Sequence, residues 1–131
     1  MADSYELSVV EDHVQVVYTR PITPAIVRGF LESGPPRIRA TGLTRVLIDM
    51  RLTTEALTTT DRYFYAVEFA ERFRGLRVAV LQSISTFDPQ GFGQVVAANR
   101  GVLTRAFTTK DAAPAWLLAE PQPANEELRA R

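Results

Sequence analysis

The distribution of apolar and polar residues along the chain predicts a β-hairpin near its beginning. The segments 5–10 and 13–19 are both rich in β-branched and aromatic residues, and a short charged break, Glu11-Asp12, separates them. Apolar Val14, Val16 and Tyr18 alternate with polar His13 and Gln15, which is typical of a strand buried on one face. Two such strands joined by so short a break favour an antiparallel hairpin. His13, at the start of the second strand, is expected to be a solvated surface residue.

Two continuous apolar runs predict strands that are buried on both faces of a sheet. Val46-Leu47-Ile48 ends at Asp49, and Val78-Ala79-Val80-Leu81 leads into a polar loop. Neither run alternates with polar residues, which is typical of central strands in a largely parallel sheet. The segment from Leu103 to Phe107 is predicted to be a further, shorter strand.

Helices are predicted between these strands from their caps and from apolar residues at helical spacing. Thr23-Pro24 has the form of an N-cap followed by proline at the first helical position, and Ser33-Gly34-Pro35-Pro36 is expected to end this helix and lead into a basic loop. A second helix is predicted from Asp61 to about Arg74, and a third from Asp88-Pro89 by the same cap-and-proline pattern. The last helix contains Ala112 to Leu118.

The predicted element order is therefore ββαβαβαβα, an α/β fold with an open, mostly parallel sheet behind the N-terminal hairpin. Alternating buried strands and helices of this length require right-handed crossovers. We expect one domain over residues 1–119. Residues 120–131 are polar and contain two prolines, so this tail is expected to be loosely ordered.

Composition excludes several classes of function. The chain has 131 residues, 46% of them apolar, which is enough to build a core. Its 15 basic and 15 acidic residues balance, which argues against nucleic acid as the main partner. Because the chain has no cysteine and one histidine, thiolate and multi-histidine metal sites are excluded and no cofactor is expected. No apolar run approaches the length of a membrane span, and no signal peptide is recognisable, so a cytoplasmic location is expected.

The order of these segments is similar to that of the SpoIIAA-like family, small proteins described as STAS/SEC14-like domains. The resemblance covers about residues 5–119 and rests on the hairpin, the two buried strands and a C-terminal signature: Ala98-Asn99-Arg100-Gly101, Ala106-Phe107-Thr108 and Ala115-Trp116-Leu117. It implies a compact α/β domain. Related STAS domains act as regulatory partners, some switched by phosphorylation of an Asp-Ser-Ser-Gly-type motif before a helix. At that place this chain has Thr58-Thr59-Thr60-Asp61, which keeps hydroxyl groups but lacks the glycine and the serine pair.

The carboxyl ends of the parallel strands are where an open sheet of this kind binds ligands. Two predicted loops leave these ends, and they supply the candidates for binding a small anion or for phosphorylation: Asp49, Arg51, Thr58, Thr59, Thr60, Ser83 and Ser85. The alternative for each is structural, with Asp49 bonded to the loop backbone and the threonines serving as loop and N-cap residues. No oriented base accompanies these hydroxyls, because the histidine lies in the hairpin, so no catalytic residue is predicted.

The predicted helix from Asp61 carries more aromatic surface than one sheet face covers. Its apolar residues span an arc of roughly 200°, whereas a surface helix needs a stripe only a little above about 100° wide. Phe64 lies outside even this arc, on the face of Glu68 and Glu71. The candidate interface residues are Tyr63, Phe64, Tyr65, Phe69 and Phe73. Three interpretations remain open: neighbouring helices cover the excess, a protein partner or second copy contacts it, or it covers an apolar ligand.

The sequence therefore predicts a non-enzymatic, STAS-like interaction or regulatory module that acts by contact with a protein partner or as a homodimer. The alternative is a module that holds a small apolar, lipid-like ligand in a pocket under the 61–74 helix, as the SEC14-like resemblance implies. A phosphorylation-switched regulator is the third hypothesis.

Overall fold

In the part of the chain that the structure describes, five strands form a single sheet in which they lie side by side in chain order. The computed structural model describes residues 4–54, 58–87 and 100–119. The strands are β1 (Tyr5–Val10), β2 (His13–Tyr18), β3 (Arg45–Asp49), β4 (Arg77–Leu81) and β5 (Leu103–Phe107). β1 and β2 are antiparallel, and every later pair of neighbours is parallel. This arrangement confirms the predicted α/β fold with an open, mostly parallel sheet behind an N-terminal hairpin.

Helices in the described residues connect and cover these strands. They are α1 (Pro24–Ala40), α2 (Thr59–Arg72) and α3 (Ala112–Leu118). The predicted N-cap Thr23 is present, since its hydroxyl accepts from the Ile26 N–H. α2 begins two residues before the predicted start at Asp61, and the hydroxyl of Thr58 caps it by accepting from the Asp61 N–H. The helix predicted from Asp88 and the tail at 120–131 lie outside the described residues.

Helix α1 continues through the segment Ser33–Pro36, so the prediction that it ends there is wrong. Two prolines leave helix carbonyls without N–H partners, yet Pro35 and Ile38 are both buried against the core. Gly34 has no Cβ to crowd the ring of Pro35, and the helical backbone before that proline is therefore accessible. Burial of the apolar face thus outweighs the local preference to stop.

The predicted basic loop after Pro36 is consequently the last turn of α1. Arg37 and Arg39 lie there, where a cation is favourable beside the negative end of the helix dipole. Arg39 also donates hydrogen bonds to the carbonyl oxygens of Arg72, at 2.9 Å, and Arg74, at 3.1 Å. These bonds fasten the end of α1 to the end of α2.

The larger core lies between one face of the sheet and helices α1 and α2. Phe30 of α1 is its centre, with ring centroids 5.0 Å from Tyr5, 5.5 Å from Tyr18 and 5.9 Å from Phe73. Phe73 follows α2 and stacks on Phe69 at 4.5 Å. A smaller core on the opposite face joins α3 to the central strands through Leu47, Ala79, Ala113 and Leu117.

His13 is buried, with 5% of its surface exposed, so the prediction of a solvated surface residue is wrong. It begins β2, which lies between β1 and β3, and this internal position in the sheet cannot be recognised from the residue alone. Burial lowers the pKa of His13, against the opposing influence of Glu11 and Asp12. Its Nδ1 atom has no hydrogen-bond partner. The folded protein therefore favours the neutral imidazole.

Candidate functional site

The loops that follow β3 and β4 are held together by hydrogen bonds at the carboxyl edge of the sheet. The hydroxyl of Ser83 donates to the carbonyl oxygen of Thr53 and that of Ser85 to the carbonyl oxygen of Thr54, both at 2.9 Å. The Thr53 hydroxyl accepts from the Ile22 N–H at 2.6 Å, which attaches the segment before α1 as well. Two of the predicted candidates, Ser83 and Ser85, therefore fix the relative position of these loops.

Thr53 was not among the sequence candidates, although it is buried at this edge and its hydroxyl accepts a hydrogen bond from a distant segment. It is 5% exposed, whereas its neighbour Thr54 is exposed. No local signal distinguishes the two threonines, because which one turns inward depends on the position of Ile22, 31 residues earlier in the chain.

Asp49 and Arg51 form a two-pronged ion pair at the end of the central strand. The Arg51 side chain donates from Nε to Oδ1 at 3.0 Å and from Nη2 to Oδ2 at 2.8 Å, and its backbone N–H donates to Oδ1 at 3.1 Å. Burial by itself would raise the pKa of Asp49. The contacts with Arg51 and the nearby charge of Lys110 outweigh this effect, so the pKa of Asp49 lies below its usual value. Asp49 is thus an ionised strand-end residue bonded to its loop, the structural alternative stated above.

The threonines before α2 fall into two groups. Thr58 is the N-cap, and its Oγ1 accepts from the Asp61 N–H at 3.1 Å. Thr59 and Thr60 lie in the first turn of the helix and are exposed. The structure therefore gives Thr58 a capping role, while the role of Thr59 and Thr60 in ligand binding or phosphorylation stays a prediction.

The imidazole of His13 lies at the amino end of β2, whereas these hydroxyls lie beyond the carboxyl ends of the strands. In the register of β2 and β3, Val14 faces Val46 and Val17 faces Asp49. His13 is four residues before Val17, which is roughly 13 Å along the strand. It is therefore not within reach of a hydroxyl at the carboxyl edge.

The aromatic residues of α2 and its end divide between core and surface. Phe73 is fully buried, so it cannot form the interface that was predicted for it. Phe69 and Tyr65 are half-buried and pack against the larger core. Tyr63 and Phe64 are 51% and 57% exposed. The excess aromatic surface that the sequence predicts is therefore real at the beginning of α2 and absent at its end.

Four exposed apolar side chains are on the loops that leave the carboxyl edge and on the first two turns of α2, and we call them the carboxyl rim: Leu52, Tyr63, Phe64 and Ile84. They are four of the seven large apolar side chains that are exposed in the described residues, and Ile84 is 85% exposed. Leu52 and Ile84 are on the two loops that Ser83 and Ser85 join, and Tyr63 and Phe64 are in the helix that follows the first of these loops. The sequence does contain a signal for Leu52 and Ile84, namely a lone apolar residue inside a polar loop.

Comparisons with known proteins bear on the fold. No protein-family model and no curated protein matches the sequence. Among solved structures, the chain is similar to the crystal structure of an uncharacterized protein from the DUF3478 family with a SpoIIAA-like fold from Shewanella loihica PV-4. The identity is 17% and the TM-score 0.50, over 86% of this chain and 91% of that chain. The chain has a SpoIIAA-like fold.

A SpoIIAA-like fold does not by itself define an activity, because function depends on the site that a fold carries. Within the described residues, no helix has the length and apolar character needed to cross a membrane. The same part of the chain holds no group of three or more histidine, aspartate or glutamate residues placed to bind a metal ion. The feature of the described residues that bears most on function is the exposed apolar surface of the carboxyl rim.

Proposed function

We propose that this SpoIIAA-like chain is a non-enzymatic interaction module that binds another protein through its carboxyl rim. The observation that carries the proposal is the exposure of apolar side chains on the loops at this edge and on the first turns of α2, led by Ile84 at 85% exposure and Phe64 at 57%. Burying apolar surface is worth about 25 cal/mol per Å², and large apolar anchors within a polar surround are typical of protein interfaces. Polar groups of Arg51, Thr54 and Ser85 provide such a surround.

The loops that present the rim are well placed for recognition. The bonds from Ser83 and Ser85 to the neighbouring loop hold Leu52 and Ile84 in a fixed relation. Because the loops are already held, they lose less conformational freedom when a partner binds. A larger part of the free energy gained from apolar contact then contributes to affinity.

The polar groups of this edge support a binding role over a catalytic one. Asp49 is held by Arg51, and Ser83 donates its proton to a backbone carbonyl. A hydroxyl nucleophile needs a general base within hydrogen-bond reach, and His13 is roughly 13 Å away along the strand direction. The non-enzymatic part of the proposal rests on these distances.

Photo-crosslinking in the cells that produce the protein tests the proposal. A photoreactive amino acid would replace Ile84 in one variant and Phe64 in another, with exposed Glu32 of α1 as the control position. We expect the same protein adduct from both rim positions, absent at position 32 and reduced by Leu52→Glu. Adducts of equal yield at all three positions, or none at the rim, would overturn the proposal.

Native mass spectrometry of freshly purified protein distinguishes the apolar-ligand alternative from binding of a protein partner. A small molecule that copurifies and is retained by Phe64→Glu would favour a pocket beneath α2. Among the described residues that pack beneath α2, Ala70 and Phe73 are fully buried, and Phe73 stacks on the half-buried Phe69.

A further inference from the structure

Strand β1 forms one edge of the sheet and turns a row of backbone groups outward. Val10 and His13 close the two-residue turn of the hairpin, and Thr19 donates to the carbonyl of Ser4 at 2.9 Å. Even-numbered residues of β1 therefore exchange hydrogen bonds with β2. The N–H and C=O groups of Tyr5, Leu7 and Val9 consequently point away from β2, toward the free edge.

This edge lacks most of the devices that keep sheet edges from pairing. β1 has no proline, lysine or glycine, and its register with β2 is unbroken over the whole strand, so no bulge interrupts it. Val9 is 54% exposed and Val10 38% exposed, and they lie on opposite faces of the sheet. The only charged residue of the strand is Glu6. The other edge, β5, has the exposed Arg105 at its centre.

We propose that β1 pairs antiparallel with β1 of a second copy of this chain, so that two sheets join into one continuous sheet across a two-fold axis. An antiparallel pair of identical strands is self-complementary, because each strand offers the other the same donors and acceptors. This inference concerns a surface separate from the carboxyl rim, and each can fail without the other.

The charge of Glu6 selects the register of this pair. With Ser8 on the axis, Leu7 of each copy faces Val9 of the other, both with outward backbone groups, and Glu6 faces Val10. The two Glu6 side chains are then four residues apart, about 14 Å along the strands, which exceeds a screening length of about 8 Å at physiological salt. With Leu7 on the axis, the two Glu6 side chains would be only two residues apart, about 7 Å along the strands.

The same register places the acidic turn of each copy near the beginning of β1 in the other copy. With Ser8 on the axis, Glu6 pairs with Val10, so the turn that begins at Glu11 of one copy lies next to Tyr5 of the other. The Tyr5 hydroxyl accepts from Arg37 at 3.1 Å, and the Arg37 guanidinium lies 5.3 Å from the centre of the Tyr5 ring. The acidic turn of one copy is thus brought to the end of β1 of the other, the end where Arg37 lies on Tyr5. Because one short strand pair buries less than the roughly 1,200 Å² of a stable interface, we expect a weak, concentration-dependent dimer.

Charge variants at the axis test the self-pairing. Ser8 is exposed and would face Ser8 of the second copy, so Ser8→Lys and Ser8→Glu each place like charges directly opposite. Sedimentation velocity up to millimolar concentration should show the wild type dimerising, each variant alone monomeric, and an equimolar mixture of the two variants dimerising again. A monomeric wild type, or a mixture no more associated than either variant, would overturn the proposal.

A backbone variant provides an independent test. Val9→Pro removes an outward N–H that does not serve β2, and proline is tolerated at such edge positions. We expect it to stay folded by circular dichroism and to be monomeric, whereas the matched control Val9→Thr keeps the N–H and dimerises. Dimerisation of folded Val9→Pro at wild-type strength would overturn the proposal; if that variant does not fold, the Ser8 pair decides.

Discussion

Substitution of Gly34 by alanine tests how α1 continues through its prolines and packs on the sheet. A Cβ at position 34 would lie 2.5 Å from Cε1 and 2.8 Å from Cδ1 of Phe30. The Phe30 ring has little room to move, because it is 3% exposed and lies between the rings of Tyr5 and Tyr18. The added methyl group therefore has to displace either the helix or a packed aromatic cluster.

Two opposing effects determine how much Gly34→Ala changes the free energy of unfolding. Alanine in place of glycine inside a helix gains about 0.5–1 kcal/mol, whereas overpacking a core costs typically about 1–3 kcal/mol. A Cβ before Pro35 also crowds the helical backbone. We expect Gly34→Ala to lower the free energy of unfolding by about 1–2 kcal/mol, as the balance of these effects.

Gly29 provides the matched control in the same helix. A Cβ there meets nothing within 4 Å, so Gly29→Ala should raise the free energy of unfolding by about 0.5–1 kcal/mol. Urea unfolding followed by circular dichroism measures both variants. In a double-mutant cycle, Phe30→Leu should make Gly34→Ala less costly, because the ring it meets is gone. Equal stability of the two alanine variants would refute the reasoning about the Phe30 contact.

Three further predictions concern the hairpin and the ion pair. Glu11 has φ 55°, which a side chain disfavours, so Glu11→Gly should gain about 1 kcal/mol in urea unfolding, and Asp12→Gly should not. Since burial lowers the pKa of His13, the unfolded chain takes up the proton first, and the free energy of unfolding should fall as pH drops below 6.5; His13→Gln should remove this fall, and an identical pH profile would contradict it. Arg51→Ala removes the contacts that lower the pKa of Asp49, so this pKa should rise in a carboxyl NMR titration; an unchanged titration would mean that Arg51 does not hold the carboxylate.

The strands could be predicted because their residue patterns report burial directly. The alternating positions Val14, Val16 and Tyr18 and the continuous runs at 46–48 and 78–81 each correspond to an observed strand. The end of α1 could not be predicted in this way. The penalty of Pro35 is local and visible in the sequence, whereas the burial of Ile38 that outweighs it depends on the position of the sheet.

The candidate site was predictable in position but not in detail. The carboxyl edge follows from the topology, and a structural role for Asp49 was foreseen as an alternative. The inward turn of Thr53 and the burial of His13 depend on segments distant in the chain or adjacent only in the folded sheet. Similarly, the helical projection placed Phe73 with Tyr63 as a candidate contact, and only the packing of Phe30 against Phe73 separates the two.

At the carboxyl edge, polar groups already have hydrogen-bond or ion-pair partners within the protein, whereas apolar side chains are exposed to water. This difference affects which ligands the edge can bind. Ser83 and Ser85 donate their protons to carbonyl groups, and Asp49 is occupied by Arg51. To bind an anion with these groups, the protein would have to break bonds it has already made, at a cost of about 1 kcal/mol or more for each. Ile84 and Leu52 have no such bonds to give up, and covering them releases water from apolar surface. The proposed recognition by apolar contact therefore costs less at this edge than the binding of an anion would, while the hydroxyl groups hold the two loops together.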